Sequence, residues 1–348
     1  MEIFSATSRP RETYKVELEY SLLWECALGI AAITNTALLK SLEKEKEYWK
    51  GIKQSLSAET RKELEYVRER NTWKALLQLL HERNFKSLDE YLSYIENLSE
   101  EKLRFICIPF LGDNHQQTRQ RAANGEGEAV LALQKITKEN PFFPEYISFI
   151  SKADIHELKQ HLITIMASWY DSVIRPEEER ISDILDRDHM IKGRMAEKMS
   201  SQAFVEWATG GIQYPPEPGV YQVILIPHII YRPWNVEADI EGTKVFYYPV
   251  SNDSLHPDRR DIPDMLLVQK HKALGDEVRL RILKLLCKKD HTLQGLTNEL
   301  GMGKTTVHHH LKMLKSARLV VNEKSIYRVK QHALTSMAQE LDIYLEGM

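Results

Sequence analysis

The sequence predicts a mainly α protein in three parts: a helical bundle over residues 1–208, a proline-rich β hairpin or small sheet with a linker over 209–263, and a helix, turn, helix and hairpin over 264–348. Three observations carry this. Apolar residues recur at three- and four-residue spacing as far as Trp207, as amphipathic helices require. Eight of the 13 prolines lie between Thr209 and Pro263 and none follows, so regular helices are interrupted there. Charge is also divided unevenly. Residues 266–348 carry 14 Lys and Arg against 8 Asp and Glu, a balance of +6, while the rest has 33 against 42, or −9. A basic end on an acidic body suits a polyanion-binding module joined to a part that must not bind polyanions.

Taken in order, the pattern reads as helices over 17–50, 57–82, 87–96, 99–108, 115–138, 154–174 and 176–207. Ser87 with Glu90, and Asp154 with Glu157, have the spacing of capping boxes, and Pro176 suits a first helical position. Leu77 and Leu80 share a face with Trp73. Residues 220–230 and 243–250 are rich in β-branched and aromatic side chains, with a turn expected over 239–242. Pro227 and Pro249 lack amide donors and restrict these strands to edge or irregular pairing. Residues 251–264 read as a polar linker.

The most informative stretch is 272–330. Val278, Ile282, Leu285 and Leu286 define one helix face, and Leu293, Leu296 and Leu300 a second. Gly301-Met302-Gly303 is a short turn between helices. The next helix, expected over 304–317, buries Val307, His310, Leu311 and Leu314, which turns Thr305, His308, His309 and Lys312 outward, with Lys304 at its start. Strands at 319–321 and 326–329 flank a turn over 322–325 and complete a wing carrying Lys324 and Arg328. Hydrogen-bonding and cationic groups on an outward helix face suit the major groove of duplex DNA.

Together, His271–Leu286, Leu296–Val320 and the hairpin resemble the winged helix-turn-helix of the ArsR family of bacterial and archaeal transcription regulators, over about 75 residues. The resemblance rests on Ala273-Leu274-Gly275-Asp276, Arg279 with Ile282-Leu283, Leu300-Gly301, and Val307 to Leu311 followed by Leu314. It implies a homodimer joined through the first and last helices, here 263–274 and 334–345, the latter with an apolar stripe of Leu334, Met337, Ala338, Leu341 and Leu345. The metal-sensing cysteines of the family are replaced by Thr292 and Gln294, and the site on the last helix retains only His332, so metal sensing by those routes is not expected. The segments 219–234 and 244–250 are similar to the amino-terminal extension of a subgroup of long ArsR-like regulators.

Other chemistry finds little support. At 43% hydrophobic and 28% charged the composition is globular, excluding a disordered chain or a disulfide scaffold. Cys26, Cys107 and Cys287 lack metal-ligand spacing and suit free thiols in a reducing compartment, and no signal peptide or membrane span is expected. His308, His309 and His310 point about 100° apart and cannot converge on one ion. His156 and His161 are one residue too far apart for a zinc-protease helix, and Asp186, Asp188 and His189 suit a polar helix surface. No nucleotide-binding or nucleophile-elbow motif is present. The six tryptophans suit bundle core or the lining of an apolar effector pocket.

The expectation is therefore a cytoplasmic homodimeric regulator, a repressor in the family's commoner mode, bound to a palindromic operator, with no catalytic residues, metal or cofactor. Lys304, Lys312, Lys315, Arg318, Lys324 and Arg328 would meet phosphates, and Thr305, Thr306, His308 and His309 base edges. The acidic body would serve an effector of unknown identity or stabilise the dimer. A protein-interaction scaffold and an enzyme seated in the helical body remain the alternatives.

Overall fold

The computed structural model describes residues 14–257, 263, 265–323, 325–335 and 337–346. It divides into two compact units: one of 1–209 with 213–250, the other of 210–212 with 251–348. The protein is mainly α-helical, with small sheets. Among the described residues, no helix is long and apolar enough to cross a membrane.

The larger unit is organised around the helix Leu22–Thr34, which is buried at every position from Leu23 to Ile33. Buried on all sides, it is the axis of a bundle rather than its surface. Ser21 starts it by accepting the amide N–H of Leu23 at 3.1 Å. Around it pack Ala58–Arg70, Trp73–Leu80 and Ile155–Trp169. Close approach is possible because position 29 is glycine: a Cβ there would lie 2.9 Å from Nε1 of Trp169. The expected caps at Ser87 and Asp154 are present, accepting from the amides of Glu90 and Glu157.

Several expected helices are shorter than their apolar pattern. The stretch 17–50 begins instead with strand β1 (Lys15–Leu18) and contains Leu22–Thr34, Thr36–Leu39 and Lys46–Ser55. The 57–82 stretch breaks at Asn71, which is left-handed at φ 56° and caps Ala58–Arg70. Likewise 115–138 divides into Gln116–Ala123 and Gly127–Ile136, and 176–207 into Glu178–Ala196 and Ser201–Ala208. The 154–174 helix ends as a π-helical turn, Tyr170–Ile174. Within the bundle, the helix Phe143–Lys152 was not expected; ahead of it Asn140 accepts the amides of Phe142 and Phe143 and turns the chain into it.

Of the two forms expected over 220–250, a hairpin or a small sheet, the structure has the sheet. Strands β2 (Gln222–His228) and β4 (Thr243–Pro249) are neighbours but parallel; β3 (Val236–Ile240) forms the antiparallel hairpin with β4. β1 adds in parallel to the other edge of β2, giving the order β1-β2-β4-β3. β1 pairs only as far as Leu18 with Leu225, so Pro227 lies beyond it and its missing donor interrupts nothing on that side. Part of the 251–264 linker is a short helix, Asn252–Leu255.

Asp188 is also corrected: it is fully buried and accepts the Tyr248 hydroxyl at 2.9 Å. Of the tryptophans, Trp24, Trp49 and Trp169 are core, whereas Trp234 is 48% exposed. His161 is buried between the hydroxyl of Thr72, at 2.7 Å, and the carboxylate of Glu63. This hydroxyl–imidazole–carboxylate chain ties helix to helix; Thr72 has no exposed surface through which to meet a substrate. His156 is exposed and His161 buried, so the two do not share a face.

Burial pushes the imidazoles of His81 and His228 down to about 3, from an ordinary 6.5. Below 6.5 the unfolded chain binds two protons that the fold refuses, so stability present above that pH is lost as pH falls. Burial pushes Glu25 up from 4.5 to about 7, which acts in the opposite sense between those values. For these three groups the net effect is one proton, and their contribution to the unfolding free energy should fall by about 1.4 kcal/mol per unit from pH 6 to 5, steepening to about 2.7 kcal/mol below 4.5. Urea titrations followed by tryptophan emission, which reports on the larger unit alone, check this; a flat profile would show that these imidazoles do not stay neutral.

Candidate nucleic-acid interface

In the second unit, the helices Met265–Leu274, Glu277–Leu286, Leu293–Leu300, Lys304–Ser316, Gln331–Thr335 and Met337–Glu346 and a small sheet all contribute to one apolar core. Asp276 starts the helix Glu277–Leu286 by accepting the amide of Arg279 at 2.9 Å, and that bond holds its carboxyl below the usual carboxylate range. Arg279 donates back to the carbonyls of Ala273 (2.7 Å) and Lys272 (2.8 Å), closing the end of the helix Met265–Leu274. Thr292 caps Leu293–Leu300 through the amide of Gly295. Ile282, Leu283, Leu286, Leu296 and Leu300 line the core.

Gly301 follows in the left-handed region, at φ 65°, and turns the chain into the helix Lys304–Ser316. An added Cβ would meet nothing within 4 Å, so glycine is needed there for its backbone and not for space. Val307, Leu311 and Leu314 of the new helix are buried. Lys304, Thr305, Thr306, His308, His309, Lys312 and Lys315 are all exposed, on the side the periodicity predicts. His310 is half-buried and stands 3.5 Å from the Asp276 carboxylate. The helix has no side-chain cap at Gly303, which leaves its first amide N–H groups, at the positive end of its dipole, without a capping acceptor.

The wing is a three-stranded sheet: β5 (His291–Thr292), β6 (Val320–Glu323) and β7 (Ile326–Val329), in the order β5-β7-β6. β5 is too short to show a sequence pattern, and β6 runs further than expected. Arg328 is exposed on β7 and donates to Asp290 at 2.6 Å. Arg318, left-handed at φ 56°, donates to the Gly210 carbonyl at 2.6 Å, and Lys330 donates to Gly211. Lys324 lies outside the described residues. Sequence reasoning passed over Gln294 and Asn298, an exposed pair bonded at 2.9 Å on the helix before the turn, where polar residues at i and i+4 were the available signal. Among the described residues, no group of three His, Cys, Asp or Glu side chains is placed to hold a metal ion.

Residues 276–321 match the family model described as bacterial regulatory protein, arsR family. Comparison with curated proteins and with solved structures gives no match. The matched residues run from the Asp276 cap through the exposed helix to the first strand of the wing. This segment carries an ArsR-family helix-turn-helix domain, of the kind found in bacterial regulatory proteins.

Gly301→Ala forces an L side chain into the left-handed region and should destabilise the second unit by about 1–2 kcal/mol while leaving every exposed side chain of the following helix in place. Denaturation followed by circular dichroism checks this; unchanged stability would mean that the turn does not need its left-handed residue.

Proposed function

We propose that the chain is a sequence-specific DNA-binding regulator, a repressor that acts as a homodimer. The observation that carries this is the exposed row of Thr305, Thr306, His308, His309 and Lys312 on a helix whose opposite stripe is buried. Two such helices related by a twofold axis would enter successive major grooves about 34 Å apart, calling for an inverted-repeat operator. The threonines and His308 and His309 supply base-edge contacts; Lys304, Lys312 and Lys315, with the uncapped helix start, supply phosphate contacts.

The homodimer draws support from the first and last helices of this unit. Lys270 and Glu340 join Met265–Leu274 to Met337–Glu346 at 2.6 Å, with Lys270 buried, while Leu345 of the last helix is left 69% exposed. An ion pair beneath and leucine outside suit a surface that pairs with its own copy. The helical unit would bind an effector and bias the spacing of the two DNA-reading helices, which requires the effector to prefer one spacing over the other. No reaction is assigned to it, and a cytoplasmic setting suits such a regulator.

Selection from random duplex DNA should enrich an inverted repeat, and failure to enrich any sequence at low salt would reject the function. Against that repeat, His309→Ala should flatten base preference at one position, a loss of about 1–3 kcal/mol of discrimination. Lys312→Ala should weaken all sequences alike and reduce the salt slope by about 1. Equal binding by both variants and the parent would reject the assignment of this face.

A further inference from the structure

Within the larger unit, the central helix Leu22–Thr34 presents Glu25 and, one turn later, Gly29 to a cavity. Its enclosed space is about 20 Å³, room for one water-sized group, and beyond that it opens to solvent. Glu25 is 3% exposed and accepts the amide N–H of Ile229 at 2.9 Å. Among the described residues no cation is hydrogen-bonded to it; Lys44 and Arg180, both at the cavity, act on it through space. Arg180 is itself engaged, donating to Glu177.

Trp169 forms the facing wall. It is wholly buried, and its indole N–H has no acceptor. That nitrogen lies against Gly29, and residues four apart stack on one helix face, so an acceptor carboxylate and a free donor line the same cavity about one turn apart. The π-helical turn Tyr170–Ile174 supplies Val173 and Ile174 to the lining; such turns are rare and gather at functional sites. At the mouth, Lys44 rests over the ring of Tyr48, its Nζ 4.6 Å from the centroid.

A buried carboxylate without a bonded cation, and a buried N–H without an acceptor, are each costly. An ammonium group would compensate the first and leave the second unmet. A carboxylate would accept from the indole and suit Lys44, but would repel Glu25. One short molecule carrying both groups meets both needs. We propose that this cavity binds a small amino acid or similar short zwitterion, its ammonium against Glu25 and its carboxylate toward Trp169 Nε1 and Lys44. As the effector site it rests on the regulatory function proposed above; as a binding site it needs no DNA.

Burial holds Glu25 up to about 7, so near neutral pH the empty site is partly protonated. An arriving ammonium favours the ionised carboxylate and should expel that proton. The test is calorimetry on the full chain without DNA at pH 7, using glycine and β-alanine, in phosphate and in Tris. Saturable binding of at least one is expected, with a heat that differs between the buffers because a proton is released. Acetate and methylammonium, each half of the molecule, should give no saturable heat at the same millimolar concentrations. Glu25→Gln should weaken binding by at least about tenfold and abolish the buffer difference. Lys44→Met, at the mouth, should weaken binding about threefold or more while circular dichroism stays unchanged, and it carries the test should Glu25→Gln lose its fold. No saturable heat from either amino acid, equal heats in both buffers, or full affinity in Lys44→Met would overturn the proposal. Because operator binding is measured separately, a failure here leaves the DNA-binding result standing, and the reverse.

Discussion

The exposed face of the helix after the turn depends on one constraint: a helix with 3.6 residues per turn cannot bury Val307, Leu311 and Leu314 without turning Thr305, His308, His309 and Lys312 the other way. The rest of the second unit serves that stripe. Ile282, Leu286, Leu296 and Leu300 supply what it packs against, Gly301 sets the angle of entry, and Arg279 closes the helix Met265–Leu274. Full burial of one leucine or valine is worth about 1.5–3 kcal/mol, so the three fix the helix about its own axis more firmly than any surface contact could. The side chains that would read bases need no packing partners of their own and can extend from a rigid support.

This part was legible in the sequence because its determinants are local. Spacing within one helix, a cap three residues from its amide and a glycine in a tight turn all act over a few residues, and the family match over 276–321 covers the same stretch. The larger unit was legible only where local signals existed, as at Ser87 and Asp154. β1 was misread because its stability comes from pairing Lys15 with Gln222, some 200 positions away, and four residues leave no period of their own. β2 and β4 were rightly placed as strands, but whether they formed a hairpin or a sheet stayed open, since a run of Val, Ile and Tyr looks alike in parallel and antiparallel sheets. Asp188 went unrecognised as buried because its partner, the Tyr248 hydroxyl, lies on the sheet. The cavity at Glu25 was invisible for the same reason: it is assembled from residues between 25 and 230, and only the tryptophan among them drew notice.

Charge has a similar division between what a sequence counts and what a fold leaves available. The basic residues of the second unit do not contribute equally. Arg328 is already held by Asp290, and Arg318 and Lys330 by the backbone carbonyls of Gly210 and Gly211, so each would exchange one partner for a phosphate. An exposed pair such as Arg328 with Asp290 is worth about 0–1 kcal/mol, and giving it up is cheap. A short bond from a half-buried guanidinium to a carbonyl is worth about 1.5–3 kcal/mol, and losing it would absorb much of a new contact. Lys304, Lys312 and Lys315 are exposed on the helix itself. On the proposed function, counterion release at the phosphates would therefore fall mainly to the helix lysines, with Arg328 able to join and Arg318 better suited to holding the chain in place.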